Sequence, residues 1–155
     1  MVDVSREAVV AAYWTQHRLR QGGREDRLRA DEYFWAWEVV HEAVWSGAPD
    51  VLDLLDALLE ADGAEPGYFG AGPLEELLNS WPNKFASGIA ERARRDPRWR
   101  EALRGVWWPR RMSEPAATIL KDFAPLPRLK ASSVSNARPT NRAKSVRRGR
   151  GRRDR

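Results

Sequence analysis

Hydrophobic residues recur along most of the chain at the three- and four-residue spacing of helices that bury one face. Nothing alternates with a period of two over a useful length, so the pattern predicts no sheet. The clearest helix follows Pro49, where Val51 and five leucines share one side and acidic residues occupy the other. The pattern therefore predicts an all-α fold, with one compact domain over residues 1–124 built from six or seven short helices in antiparallel pairs.

Glycines, prolines and capping residues place the helix boundaries. The predicted helices span about residues 4–21 (capped by Asp3), 31–46 (capped by Asp31), 49–61, 73–80, 83–95 and 97–107, with a last short helix over about 113–123. A polar connection is predicted over residues 22–30, and Trp107 is expected to be buried. The helix over 31–46 is apolar around most of its circumference, so we expect it at the centre of the fold. Pro49 and Pro97 open helices 48 residues apart, near the length of an armadillo or HEAT-type repeat, which favours a solenoid-like pairing.

A glycine-rich turn that leads into a helix is the best-specified stretch of the chain. Its residues are Gly70, Gly72, Pro73, Leu74, Glu75, Leu77 and Leu78. The glycines can take positive φ or pack closely, and Pro73 suits the first helical position with Gly72 as the N-cap. Glu75 would then reach back to an unpaired N–H of the helix start, and the leucines form a buried stripe. Glycines before a helix can also cradle phosphate, but Glu75 and Glu76 would repel an anion there, which favours a structural turn.

These residues resemble the hallmark of an uncharacterised family of small bacterial all-helical proteins, a domain of unknown function. The resemblance covers roughly residues 30 to 108. It extends upstream to Trp37 and the leucine-rich helix, and downstream to Ala93, Asp96-Pro97-x-Trp99-Arg100 and Leu103-x-Gly105-Val106-Trp107. The segment Ser80-Trp81-Pro82-Asn83 departs from the family pattern. The resemblance implies an all-helical fold and supplies no catalytic residues.

Composition narrows the class of protein further. The 155 residues suffice for one domain with a core, and the absence of cysteine excludes disulfides and thiolate chemistry. The N-terminal residues lack the pattern of a signal peptide, and no apolar run has the length of a membrane span. A cytoplasmic bacterial protein with no membrane partner fits these features.

The net charge of +5 conceals two parts of opposite sign. Residues 126–155 contain eleven Lys and Arg against one acid, whereas residues 1–125 contain sixteen against twenty-one. No aromatic residue follows Phe123, so the segment cannot bury enough apolar surface to offset its ordering entropy. We therefore expect residues 125–155 to form a disordered, Arg-rich tail.

Candidate chemical groups are few. His17 and His41 each lie among aromatic residues and lack further metal ligands at suitable spacing, so aromatic packing is the favoured role for both. No catalytic, metal-binding or cofactor-binding residue is predicted, and no cofactor is expected. The acidic stripe of Asp53, Asp56 and Glu60 is either a solvated helix face or a negative surface for a basic partner.

Two tryptophans and the tail are the other candidate binding elements. Of the eight tryptophans, Trp35 and Trp108 point away from their neighbours, so they either anchor a partner or are covered by another helix of the chain. The tail residues that could bind phosphate backbones without reading sequence are Arg142, Lys144, Arg147, Arg148, Arg150, Arg152, Arg153 and Arg155. The alternative for the tail is a solubilising extension.

Three functional hypotheses follow from these features. The leading one is a non-enzymatic protein-interaction module, with an inhibitor or immunity-type protein that faces a basic partner as its narrower form. The second is an accessory protein that binds nucleic acid non-specifically through the tail. An enzyme is third, because no nucleophile–base, metal or cofactor pattern is visible.

Overall fold

The computed structural model describes residues 4–107 and 113–123, and these residues form helices and turns without a strand. The helices are α1 (Arg6–Arg20), α2 (Arg24–Ala30), α3 (Phe34–Ser46), α4 (Val51–Glu60), α5 (Pro66–Phe69), α6 (Glu75–Ser80), α7 (Pro82–Arg95), α8 (Pro97–Gly105) and α9 (Glu114–Leu120). Within this part of the chain, seven of them have at least seven residues. The predicted all-α fold of six or seven short helices is confirmed.

Several start and stop signals in the sequence operate as expected, although α4 begins at Val51 and not at Pro49. Gly47 ends α3 in the left-handed region, with φ of 63°. The Asp96 carboxylate caps α8 by accepting from the Arg98 N–H at 2.8 Å, and the side-chain hydrogen bonds to Arg98 lower the pKa of Asp96. Ser113 caps α9 in the same manner. Ser5 caps α1, and Asp3, the predicted cap, lies outside the described residues.

The predicted polar connection over residues 22–30 is wrong, because α2 occupies it. This helix buries only Ala30, so it carries no apolar periodicity for a sequence reading to detect. Acidic residues in its first turn and basic residues in its last complement the helix dipole. Asp31 consequently does not cap α3: it begins a 3₁₀ turn (Asp31–Tyr33), and its carboxylate accepts from Arg20 at 3.0 Å.

The first helix, α1, packs against α2, α3 and α4 and buries seven of its fifteen residues. Tyr13 and Trp14 are 3% and 1% exposed, and the Trp14 indole N–H donates to the Leu58 carbonyl at 2.8 Å. The expectation that the helix over 31–46 lies at the centre is wrong. The buried residues of α3 are the small Ala36, Val40 and Val44, whereas Trp37 is only partly buried and Phe34, Trp35 and Trp45 are exposed.

The short helix α5 and the turn after it cross α8 at very close range. A Cβ added to Gly70 would lie 2.0 Å from the backbone carbonyl oxygen of Ala102, and one added to Gly105 would lie 2.8 Å from that of Gly67. Phe69 packs edge-on against Trp99, with ring centroids 5.6 Å apart. Glycine is therefore required at Gly70 because two backbones meet there, as the close-packing prediction for this turn anticipated.

The turn itself differs from its prediction in three respects. Residues Gly70–Leu74 form a π-type turn, so Pro73 lies inside that turn and not at the first position of α6. Gly72 interrupts the helical geometry, with φ of −115° and ψ of −107°. Because no helix starts at Pro73, Gly72 is not an N-cap. The Glu75 carboxylate accepts from the backbone N–H of Trp107 at 2.7 Å, across the fold. The buried stripe of Leu74, Leu77 and Leu78 is confirmed, since all three are 0% exposed.

Trp107 is 83% exposed, so its predicted burial is wrong. The helix α8 ends at Gly105 and Val106 is extended, with φ of −73° and ψ of 128°. The helical spacing that placed Trp107 in the core therefore stops two residues before it. The other predicted features of this region, Trp108 and the tail over 125–155, lie outside the described residues, and the solenoid-like pairing stays a prediction.

We expect Gly70→Ala to destabilise the protein by about 1–3 kcal/mol or more, because the new methyl group would overlap the Ala102 carbonyl. The matched control is Gly67→Ala on α5, three residues earlier, where a Cβ meets nothing within 4 Å. Urea unfolding of both variants measures the difference. Equal unfolding midpoints of the two variants would show that the turn and α8 can move apart at Gly70 without loss of stability, which would contradict the prediction.

Candidate functional site

The centre of the chain carries negative charge without positive charge. Residues 31–83 contain twelve Asp and Glu and no Lys or Arg. Part of this charge is compensated by flanking helices: Arg20 on α1 pairs with Asp31, and Arg92 on α7 pairs with Asp53 and Asp56. This 53-residue interval can be read from the sequence, but the net charge summed over residues 1–125 does not reveal it.

The acidic stripe on α4 divides between structural and exposed residues. The Asp56 carboxylate accepts from Arg92 Nε at 2.7 Å and from the indole N–H of Trp99 at 3.0 Å. Asp53 is exposed and accepts from Arg92 Nη2 at 3.3 Å. Glu60 is also exposed. Asp56 is thus committed to contacts within the domain, and a partner role for Asp53 and Glu60 stays a prediction.

An aromatic row runs along the open side of α3 and consists of Phe34, Trp37, His41 and Trp45. Their spacing of three, four and four residues places them along one line of the helix surface. The rings of Phe34 and Trp37 stack with centroids 5.2 Å apart, and those of Trp37 and His41 stack at 4.7 Å. Phe34 is 38% exposed and Trp45 is 63% exposed. The row is therefore partly ordered by its own stacking while remaining open at both ends.

Carboxylates flank the aromatic row on its own helix, while Arg20 of α1 and Lys84 of α7 lie near its two ends. Glu38 and Glu42 are exposed on α3, which carries no Lys or Arg. Trp81 adjoins the end of α3, where its indole N–H donates to the Trp45 carbonyl at 3.0 Å. Trp35 is 36% exposed beside Val39, and its proposed contact with a partner stays a prediction.

Sequence reasoning nominated Trp35 and Trp108 but missed Trp45 and Trp107, two of the more exposed large side chains. A signal for Trp45 was present, because a helical wheel places it next to Phe34 and beside the polar Glu38. For Trp107 no signal was available, since its exposure depends on where α8 ends.

A groove of about 480 Å³ opens beside the aromatic row. Its lining residues come from α1, α3, α5, α6 and the π-type turn: Tyr13, Trp37, Val40, His41, Tyr68, Ala71, Gly72, Pro73, Glu75, Glu76 and Asn79. No lysine or arginine of the described chain lines it. The turn and Trp37, two features that carry the family resemblance, face this one groove.

Neighbouring groups define the environment of three polar side chains in the groove, His41, Glu76 and Tyr13. Nδ1 of His41 lies 3.0 Å from both carboxylate oxygens of Glu76. Burial, followed by the influence of neighbouring Tyr68, raises the pKa of Tyr13 far above its usual value, so its hydroxyl stays neutral. The groove therefore offers carboxylates, an imidazole within hydrogen-bond distance of Glu76, and apolar walls. This combination suits binding of a cation.

His17 occupies a second groove, of about 440 Å³, that shares Trp37 and Tyr68 with the first. It is 7% exposed and stacks on Tyr68 at 3.7 Å, while its Nε2 lies 2.7 Å from Gln21 Nε2 and 3.3 Å from Glu65. Aromatic packing, predicted for both histidines, is confirmed. In the described ranges, 4–107 and 113–123, no three His, Cys, Asp or Glu residues are grouped as metal ligands. No helix in those ranges is long and apolar enough to cross a membrane.

The fold and this surface define a small all-helical domain with an acidic, aromatic groove. The chain belongs to the family described as "Family of unknown function (DUF6869)", whose sequence model matches residues 23–119. The resemblance seen in the sequence is thus confirmed, and every lining residue of the first groove except Tyr13 falls within the match. A search of the curated proteins and a search of the solved structures found no match.

Asp56→Ala should destabilise the domain by about 1.5–3 kcal/mol, because it removes hydrogen bonds to charged Arg92 and leaves the buried Trp99 indole N–H without its acceptor. Asp53→Ala, which removes one exposed ion pair with the same arginine, should cost less than about 1 kcal/mol. Thermal unfolding of the two variants checks the division. A greater destabilisation by Asp53→Ala would reverse the roles of the two carboxylates.

Proposed function

We propose that this protein is a non-enzymatic protein-interaction module that binds a positively charged protein through the aromatic row and the acidic surface around it. One observation carries this proposal: α3 exposes Phe34 and Trp45 beside Glu38 and Glu42, in an interval that contains no Lys or Arg. A bacterial cytoplasm is the proposed location. An inhibitor or immunity-type protein is the narrower form of the same function.

Interface energetics support this choice of surface. Aromatic side chains are enriched at protein interfaces and supply most of the binding energy when a partner covers them. The exposed carboxylates would steer a basic partner towards them and raise the association rate. The buried side of α3 uses other residues, so the aromatic row is available to a partner without unfolding the helix.

To test the surface, the full-length chain is immobilised, exposed to a bacterial extract, and its captured proteins are identified by mass spectrometry. The double variant Phe34→Ala/Trp45→Ala should no longer capture the partner. When that partner is purified, its dissociation should accelerate at least tenfold, since large anchors act mainly on dissociation. The Glu38→Gln/Glu42→Gln variant should instead slow association.

The matched control is Leu28→Ala, because Leu28 is 66% exposed on α2 and lies outside the aromatic row. It should capture the same partner as the parent chain. If all variants retain every captured protein, or if the captured protein is acidic, the proposal is wrong.

A second candidate function is non-specific nucleic-acid binding through the tail. The supporting observation is the charge of residues 126–155, with eleven Lys and Arg against one acid. These residues lie outside the described part of the chain. The acidic interval over 31–83 would repel a polyanion, so this function would depend on the tail alone.

For this second function, a variant with the eight tail residues Arg142, Lys144, Arg147, Arg148, Arg150, Arg152, Arg153 and Arg155 changed to Gln should bind duplex DNA at least tenfold more weakly. The slope of log K against log salt should become shallower by about 0.9 for each phosphate that the variant no longer neutralises. Fluorescence anisotropy of labelled DNA over a salt series measures both quantities. Unchanged affinity and slope would exclude the tail as the binding element.

A further inference from the structure

We propose that the groove between Trp37 and the π-type turn is a socket for an alkylguanidinium group, the end of an arginine side chain of the partner. This inference rests on the proposed function and names the chemical group that the partner contributes. It assigns the groove residues a direct role in binding, separate from that of Phe34 and Trp45, the exposed ends of the aromatic row.

The walls of the groove match the apolar stem of an arginine. Trp37 and Val40 on α3, Pro73 in the turn and Tyr68 on α5 all line it. Long basic side chains cover apolar surface with their methylene groups while their charged ends reach polar groups. A groove of about 480 Å³ has room for one such side chain together with solvent.

The polar groups of the groove match the charged end. Glu75 and Glu76 are adjacent at the start of α6, and both line the groove together with the Asn79 side chain. One oxygen of Glu75 accepts from the Trp107 N–H, and Glu76 lies against Nδ1 of His41, but each carboxylate has further lone pairs available. Guanidinium carries five N–H donors in a planar fork and pairs with carboxylates in bidentate geometry. Two carboxylates and an amide oxygen can accept several of these donors at once.

The same groups disfavour the other classes of ligand. An anion would meet two carboxylates and no Lys or Arg of the described chain. A neutral ligand of the same shape would leave the carboxylates without the charge that a guanidinium supplies. Cation recognition is therefore the selective property that this lining provides.

The experiment uses butylguanidinium as the probe and butylurea as its neutral isostere, each titrated into the isotopically labelled full-length chain. Nuclear magnetic resonance should show shifts at Trp37, His41, Tyr68 and Glu76 with butylguanidinium. Butylurea should bind at least roughly tenfold more weakly, because it lacks the charge-assisted hydrogen bonds. Equal binding of both probes, or shifts confined to other residues, would overturn the proposal.

A pair of variants separates the groove from the general negative charge. Glu76→Gln should weaken butylguanidinium binding roughly tenfold or more, whereas Glu38→Gln, on the exposed side of α3 and outside the groove lining, should leave it within about twofold. Equal weakening of butylguanidinium binding in both variants would show that the probe responds to negative surface charge in general, which would contradict the socket. The comparison of the two probes on the parent chain needs no variant, so it remains decisive if Glu76→Gln fails to fold.

The outcomes also distinguish this inference from the proposed function. If Phe34→Ala/Trp45→Ala releases the partner but butylguanidinium does not bind the groove, the proposed function is supported and the proposed guanidinium site is wrong. If butylguanidinium binds the groove selectively while the aromatic-row variant retains every captured protein, the socket stands as a cation site and the proposed docking surface is wrong.

Discussion

The close crossing of α5 and its turn over α8 is the constraint on which the rest of the fold depends. Two backbones approach within the space of one methyl group at Gly70 and Ala102, and again at Gly105 and Gly67. No rearrangement of side chains relieves an overlap between backbone atoms, so the crossing distance is set by the absence of Cβ atoms. The packing of Phe69 against Trp99 follows from this distance.

The crossing also determines the site. It fixes the position of the π-type turn, which directs α6 so that Leu74, Leu77 and Leu78 enter the core while Glu75 and Glu76 line the groove. The hydrogen bond from the Trp107 N–H to Glu75 ties the end of α8 to the start of α6. The kink at Gly72 thus separates a buried apolar stripe from an adjacent polar wall.

Local signals predicted the class of fold, the boundaries of α7, the starts of α8 and α9, and the stripe of the hallmark helix, because caps and helical spacing act over a few residues. The same reasoning failed for α3. By contrast, the apolar residues of α1 are spread around the helix, since α2, α3 and α4 all pack against it. The aromatic residues of α3 read as core, yet small residues suffice on its buried side. The groove could not be predicted, since it combines residues between Tyr13 and Asn79 that only the tertiary packing assembles.

The exposure of large aromatic residues on α3 has an energetic consequence. Ala36, Val40 and Val44 attach this helix to the domain and are 0–2% exposed, whereas Phe34 and Trp45 keep much of their surface in water. Apolar area left in water contributes little to folding and remains available to binding. Substitution of the exposed rings should therefore affect a partner more than the fold, while substitution of the buried valines should do the reverse. One side of α3 therefore stabilises the fold, and the other side is available for binding. The acidic residues of the interval 31–83 favour a positively charged partner for that exposed side.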